Sequence, residues 1–203
     1  MPWVVMGAFL ILWLVEERGL STQVAPLVMG VVVIGTAISN IVGGFLGDWA
    51  ESRNPRYGRT IVGQVSVALG IPFSYFLFTG TANWSLPALA GFCFITALLI
   101  SWPGKGAKEP MMQGVVPPEL RSTAFSMTTF IESGFAAIVA LIFGTIADKI
   151  DLQTAMVWTI PFPWIICAVL FSGFYLTYPK DSAKLRALMA ERAKEFGINS
   201  NNH

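Results

Sequence analysis

The sequence predicts an all-α fold, a polytopic bundle of membrane-spanning helices. Composition is the first observation behind this. Of 203 residues, 54% are hydrophobic and only 12% are charged, against about 25% charged in an average soluble domain. Mean hydropathy is +0.63. The second observation is where the charges lie. Residues 2–15, 24–47 and 60–104 carry none, 122–147 carry only Glu132, and 152–179 carry none. Roughly 20 apolar residues in a helix cross the hydrocarbon of a bilayer, so these gaps are one or two crossings long. The third is that no amphipathic helix occurs before residue 181, as a soluble α-protein would require.

The elements follow in order. Residues 2–15 are too few for a comfortable crossing. A secretory signal peptide would add a basic leader and a small-residue cleavage site, but Pro2 and Trp3 follow Met1, and Glu16, Glu17 and Arg18 follow the run. The run reads as the second half of a membrane helix, and the chain as a fragment. Residues 24–47 make one span. The 60–104 gap makes two, 60–79 and 85–104, because Thr79-Gly80-Thr81-Ala82-Asn83 supplies a polar turn between them. Residues 123–147 and 155–177 complete five full spans. Pro179 ends the last one, and residues 179–203 form an amphipathic tail capped at Asp181 or Ser182, with Leu185, Leu188, Met189, Ala193 and Phe196 on one face.

Basic residues orient the bundle. The 48–59 loop, the 105–121 loop and the tail hold eleven Lys and Arg, while the opposite side holds only Arg18 and Lys149. The positive-inside rule places the eleven, and the C-terminus, in the cytoplasm, in an integral membrane protein of the plasma membrane. Net charge is +1, which identifies no partner. Disorder, a basic nucleic-acid-binding protein and a disulfide scaffold are excluded. Cys93 and Cys167 fall inside spans as packing residues. The sole His is His203, and no metal-ligand spacing, phosphate loop or nucleophile motif appears. The sequence therefore predicts no enzyme, cofactor or metal.

Within the spans, small residues recur at helical spacing. Gly35, Ser39, Gly43 and Gly47 form one stripe, and Thr36, Asn40, Gly44 and Asp48 another. Such stripes let membrane helices approach closely, since lipid gives them no hydrophobic reason to associate. Asn40 reads either as interhelical hydrogen-bond glue or as a polar group facing a substrate cavity. In 123–147, Thr129, Ser133, Ala137 and Gly144 form a similar face beside Thr128, Glu132 and Ala136. A carboxylate this deep is expensive in lipid, and no basic residue lies within any predicted span. Glu132 is thus protonated, paired with a segment outside the chain, or exposed to an aqueous cavity. A coupling or substrate-binding role and a neutral structural role both remain open.

The segment from Gly44 to Arg59, GFLGDWAESRNPRYGR, lies between two spans on the positive side. It resembles the cytoplasmic loop motif of the major facilitator superfamily: a Gly, three residues, an Asp, then basic residues around Gly-Arg. Val116 to Ala124 resembles the start of that family's helix 11, Gly144 to Asp148 its far end, and Pro2-Trp3 an early Pro-Trp of helix 7. The resemblance reaches to about residue 178 and assigns the spans to helices 7 (partial) through 12. Spinster-like and sugar-phosphate-permease-like members are nearest. The chain departs from the pattern at Trp49, where a basic residue is usual, at the inserted Asn54-Pro55, and at Ser122, where Gly is common.

The resemblance implies the C-terminal six-helix half of a transporter that moves a small solute by alternating access. Its implied partners are the lipid bilayer, the missing N-terminal half, and a small-molecule solute with a proton or a sodium ion; no nucleic acid is implied. Family geometry nominates Trp3, Asn40, Trp102, Thr128 and Glu132 as cavity-lining residues. Gly44, Gly47, Asp48, Arg53, Gly58 and Arg59 are implied as a cytoplasmic gating motif. The alternatives are a non-transporting structural or regulatory membrane protein of the same fold, and a half-transporter that works as a homodimer.

Overall fold

A computed structural model describes residues 2–195, with side chains from Val5 onward, so the Trp3 side chain, Phe196 and His203 lie outside the described residues. Every regular element among them is helical: α1 (Pro2–Glu16), α2 (Ala25–Arg53), α3 (Gly58–Thr79), α4 (Leu86–Ile100), a π-helical turn (Gly104–Lys108), α5 (Glu109–Gln113), a 3-10 turn (Pro118–Leu120), α6 (Arg121–Ala147), α7 (Leu152–Thr159), α8 (Pro161–Ser172) and α9 (Phe174–Glu195). Five segments are long and apolar enough to cross a membrane: Ala25–Arg53, Gly58–Thr79, Leu86–Gln113, Pro118–Ala147 and Leu152–Ser172. Val5–Glu16 is a shorter apolar helix. This is a multi-pass membrane helix bundle.

Inside a bilayer, burial gains come from close packing rather than from leaving water. The bundle is built accordingly. α2 turns Gly35, Ser39, Gly43 and Gly47 inward against α4 and the π-turn. A Cβ on Gly47 would stand 2.2 Å from the Gly106 carbonyl oxygen, and one on Gly106 2.4 Å from that of Gly43. The two backbones therefore touch with no side chain between them. Ser39 Oγ donates to the Leu98 carbonyl at 2.7 Å, and Ser66 Oγ of α3 to that of Leu99 at 2.8 Å. On the other side of α3, Gly63 accepts the ring of Phe171 and Gly70 that of Trp164.

At the opposite end, α1 is wedged into the bundle. Met6, Leu10, Trp13 and Leu14 are buried. Trp13 stands edge-on to Phe78 at 5.1 Å and donates from Nε1 to Gln153 Oε1 at 2.6 Å. Phe9 meets Phe143 of α6 at 4.4 Å. Gly19, at φ 63°, reverses the chain into α2 in the left-handed region that favours glycine.

Two helices differ from the sequence expectation. The span placed at 85–104 does not stop there. After Ile100 the chain passes Pro103, absorbs the distortion in the π-turn, and continues as helix to Gln113; π-turns are a known way to accommodate an awkward residue in a helix. Pro179 does not end the last span either. α9 runs through it from Phe174 to Glu195, so no new cap forms at Asp181 or Ser182. The break falls earlier, around Gly173. Tyr178, Ser182 and Leu185 of α9 are buried, whereas Leu188 and Met189 remain exposed.

Candidate functional site

Extending α4 through the π-turn has a direct chemical result. It carries Lys108 to α6, where Nζ lies 2.5 Å from Glu132 Oε1. The missing cationic partner of Glu132 is therefore in this chain, and the expectation that none was available is corrected. The sequence places Lys108 with the loop cations because the charge-free run ends at Gly104, just before Lys105. The signal that the helix continues was Ala107 and Met111, buried one turn apart as successive positions of one face.

The pair is only half covered: the Lys108 side chain is 45% exposed and that of Glu132 is 50%. Thr128, one turn before Glu132, donates to the Ala124 carbonyl and sits 3.6 Å from Met112 Sδ. Lys108 and Thr128 border a cavity of about 310 Å³ with Met111, Met112, Tyr178 and Asp181. A lysine ammonium has three donors and a carboxylate about four acceptor sites. One contact between them leaves most of that capacity open.

The remaining lining candidates lie elsewhere. Asn40 is half-buried on α2, and it is the neighbouring Ser39 that bonds across to α4. Trp102 backs onto Gly43, whose added Cβ would lie 2.5 Å from Trp102 Cβ. Its indole Nε1 is buried with no partner among the described residues. The structure thus brings Thr128 and Glu132 together, leaves Trp102 against Gly43 of α2 and leaves Asn40 half-buried beside that contact face.

The loop motif forms a compact cluster. Arg59, in the first turn of α3, donates to Asp48 Oδ1 at 2.6 Å, to Glu51 Oε2 at 2.7 Å and to the Gly106 carbonyl at 3.3 Å. One guanidinium, with its fixed fork of donors, therefore ties the end of α2 to the start of α3 and to the π-turn. Gly58 is needed because the Ala50 carbonyl would lie 2.1 Å from a Cβ there. Gly44 is not packed: nothing lies within 4 Å of a Cβ at that site. The close contacts belong to Gly43, Gly47 and Gly106, of which sequence reasoning gave no role to Gly106. Arg53 takes no acidic partner among the described residues and lies 5.4 Å over the Trp49 ring.

No protein-family model matches the chain, and no solved structure matches it. The reading of the site therefore rests on these residues. Cys93 and Cys167 are free thiols, Cys93 buried. Among the described residues no cluster of three or more His, Cys, Asp or Glu side chains could hold a metal ion.

Proposed function

We propose that this chain is one half of a secondary transporter of the major facilitator type. It would move a small polar solute by alternating access together with a second half-bundle. The observation that carries the reading is the Lys108–Glu132 pair, half exposed on the side of α6. Phe143 is the buried residue of that 27-residue helix, while Phe130, Ile131, Phe135, Ile138 and Leu141 are open. Charged side chains at membrane depth face protein or water, not lipid. A face bearing an ion pair beside Thr128, Thr129 and Ser133 suits the wall of an aqueous pathway covered by further helices. Rocking of two half-bundles about a site between them is the usual mechanism in transporters of this architecture. Either a proton on Glu132 or a sodium ion beside it would serve as coupling ion.

The test is accessibility in native membranes. With Cys93→Ala and Cys167→Ala as background, Ala136→Cys, one turn from Glu132, should react with a hydrophilic maleimide applied from either side. Leu170→Cys on α8, 71% exposed, should not react, because lipid covers it. No reaction at residue 136, or reaction from one side only under all conditions, contradicts the proposal. A Glu132→Gln variant that kept full solute uptake and its pH dependence would remove Glu132 from the coupling role.

A further inference from the structure

The inserted Asn54-Pro55, which lengthens the 48–59 loop, has no part in the Arg59 cluster. It builds a second site. Asn54 Oδ1 accepts from the backbone amides of Arg56 and Tyr57 at 3.2 and 3.1 Å, an Asx-type turn that fixes the loop. Tyr57 then packs on Tyr175 of α9, ring centroids 5.8 Å apart. The result is an open cleft of about 420 Å³ between loop and α9, lined by Pro55, Arg56, Pro179, Lys180, Ala183 and Arg186.

Three cations line this cleft and no carboxylate does. Five of the cations elsewhere in the bundle are paired: Arg59 with Asp48 and Glu51, Lys105 with Glu109, Lys108 with Glu132, Lys184 with Asp181, and Arg192 with Glu119. Arg56, Lys180 and Arg186 have no such partner among the described residues. Arg186 is instead steered by its own helix, donating to the Ser182 carbonyl at 3.3 Å and to Ser182 Oγ at 3.2 Å. Two guanidinium forks and an ammonium around one small space suit a phosphate. The remaining walls are two prolines and an alanine, and Leu176, one turn before Lys180, is 72% exposed. An apolar lane thus leads from the cleft along α9 toward its first turns, which follow the Leu152–Ser172 span.

We infer that this cleft binds the phosphate of an anionic phospholipid headgroup, with an acyl chain along Leu176. The lane selects lipid over free phosphate, and three unpaired cations select an anionic lipid over a zwitterionic one. Each Lys or Arg near an anionic lipid contributes roughly fivefold in affinity.

The full chain, purified in a neutral detergent, is titrated with short-chain phosphatidylglycerol or phosphatidylcholine, and bound lipid is counted by native mass spectrometry. Phosphatidylglycerol should bind, with phosphatidylcholine much weaker. The triple variant Arg56→Ala, Lys180→Ala, Arg186→Ala should lose roughly 100-fold. The charge-matched control Arg53→Ala, Lys184→Ala, Lys194→Ala should stay within about threefold of the parent. Arg56→Lys, Lys180→Arg, Arg186→Lys should retain binding, which separates loss of the site from loss of the fold. Equal losses in the two alanine triples would mean a diffuse basic surface and overturn the inference. So would equal binding of both lipids, or displacement of phosphatidylglycerol by millimolar inorganic phosphate.

Discussion

Gly44 and Gly47 are three residues apart on one helix, and their environments are opposite. A methyl at Gly47 meets backbone, the Gly106 carbonyl, which no rotamer change can move aside. Gly47→Ala should therefore part α2 from the π-turn and cost about 1–3 kcal/mol, as overpacking usually does. Gly44→Ala meets open space and should be neutral or stabilising by up to about 1 kcal/mol, because alanine loses less backbone freedom in a helix. Thermal unfolding of both variants in detergent checks the contrast; equal shifts would contradict it. Lys108 and Glu132 permit a second test at this scale. Both are about half exposed, so a cycle of Lys108→Met, Glu132→Gln and the double variant should give a coupling of about 0.2–1 kcal/mol in detergent. A coupling of several kcal/mol would mean that the pair is already shielded from solvent. The close-packing stripe Gly35, Ser39, Gly43 and Gly47 was legible in the sequence, since small residues four apart have few other uses in a membrane helix. Its counterpart Gly106 was not, because its neighbours Lys105 and Lys108 made that stretch look like loop.

At the level of elements, helix starts were easier to read than helix ends. Charge gaps locate spans because the cost of a charge in hydrocarbon dominates everything local. Prolines are ambiguous: a proline removes one backbone donor, but whether the helix stops depends on what takes up the distortion. At Pro103 a π-turn does so, and at Pro179 the helix simply continues. The ion pair at the candidate site was hidden because Lys105 and Lys108, just past Pro103, made the end of that helix look like loop. The start of α7 is clearer, with Asp151 as N-cap accepting from the Thr154 amide at 2.7 Å. That hydrogen bond holds the Asp151 carboxyl below its ordinary value. A depressed folded-state pKa contributes stability above the unfolded value, about 3.9 for Asp, and loses it as pH falls through the folded value. Asp151→Asn keeps an acceptor without the titration. Acid unfolding of α7 followed by hydrogen exchange should therefore lose its dependence on pH below about 4 in that variant. An unchanged profile would place the acid sensitivity in another group.

Across the whole molecule, α2, α3, α4 and α8 share glycine contacts and interhelical hydrogen bonds, and α1 is wedged among buried aromatic rings. α6 shares little with α2, α3, α4 or α8, and meets α1 at its far end, where Phe143 packs on Phe9. Its buried side chain is Phe143, near its far end, and Glu132 touches the rest through one half-exposed ion pair. This division has a consequence for cooperativity. A chain unfolds as one unit only when its parts depend on each other, and regions with few buried contacts open at lower free energy. The purified chain should therefore melt in two steps. α6 should lose its amide protection first, with the α2–α4 seam and α3 persisting to a higher temperature. A single transition with uniform exchange across all helices would contradict this. Whatever covers α6 in the membrane would then act as a thermodynamic coupler, merging the two steps into one, so the melting profile itself reports whether the helix has found its cover.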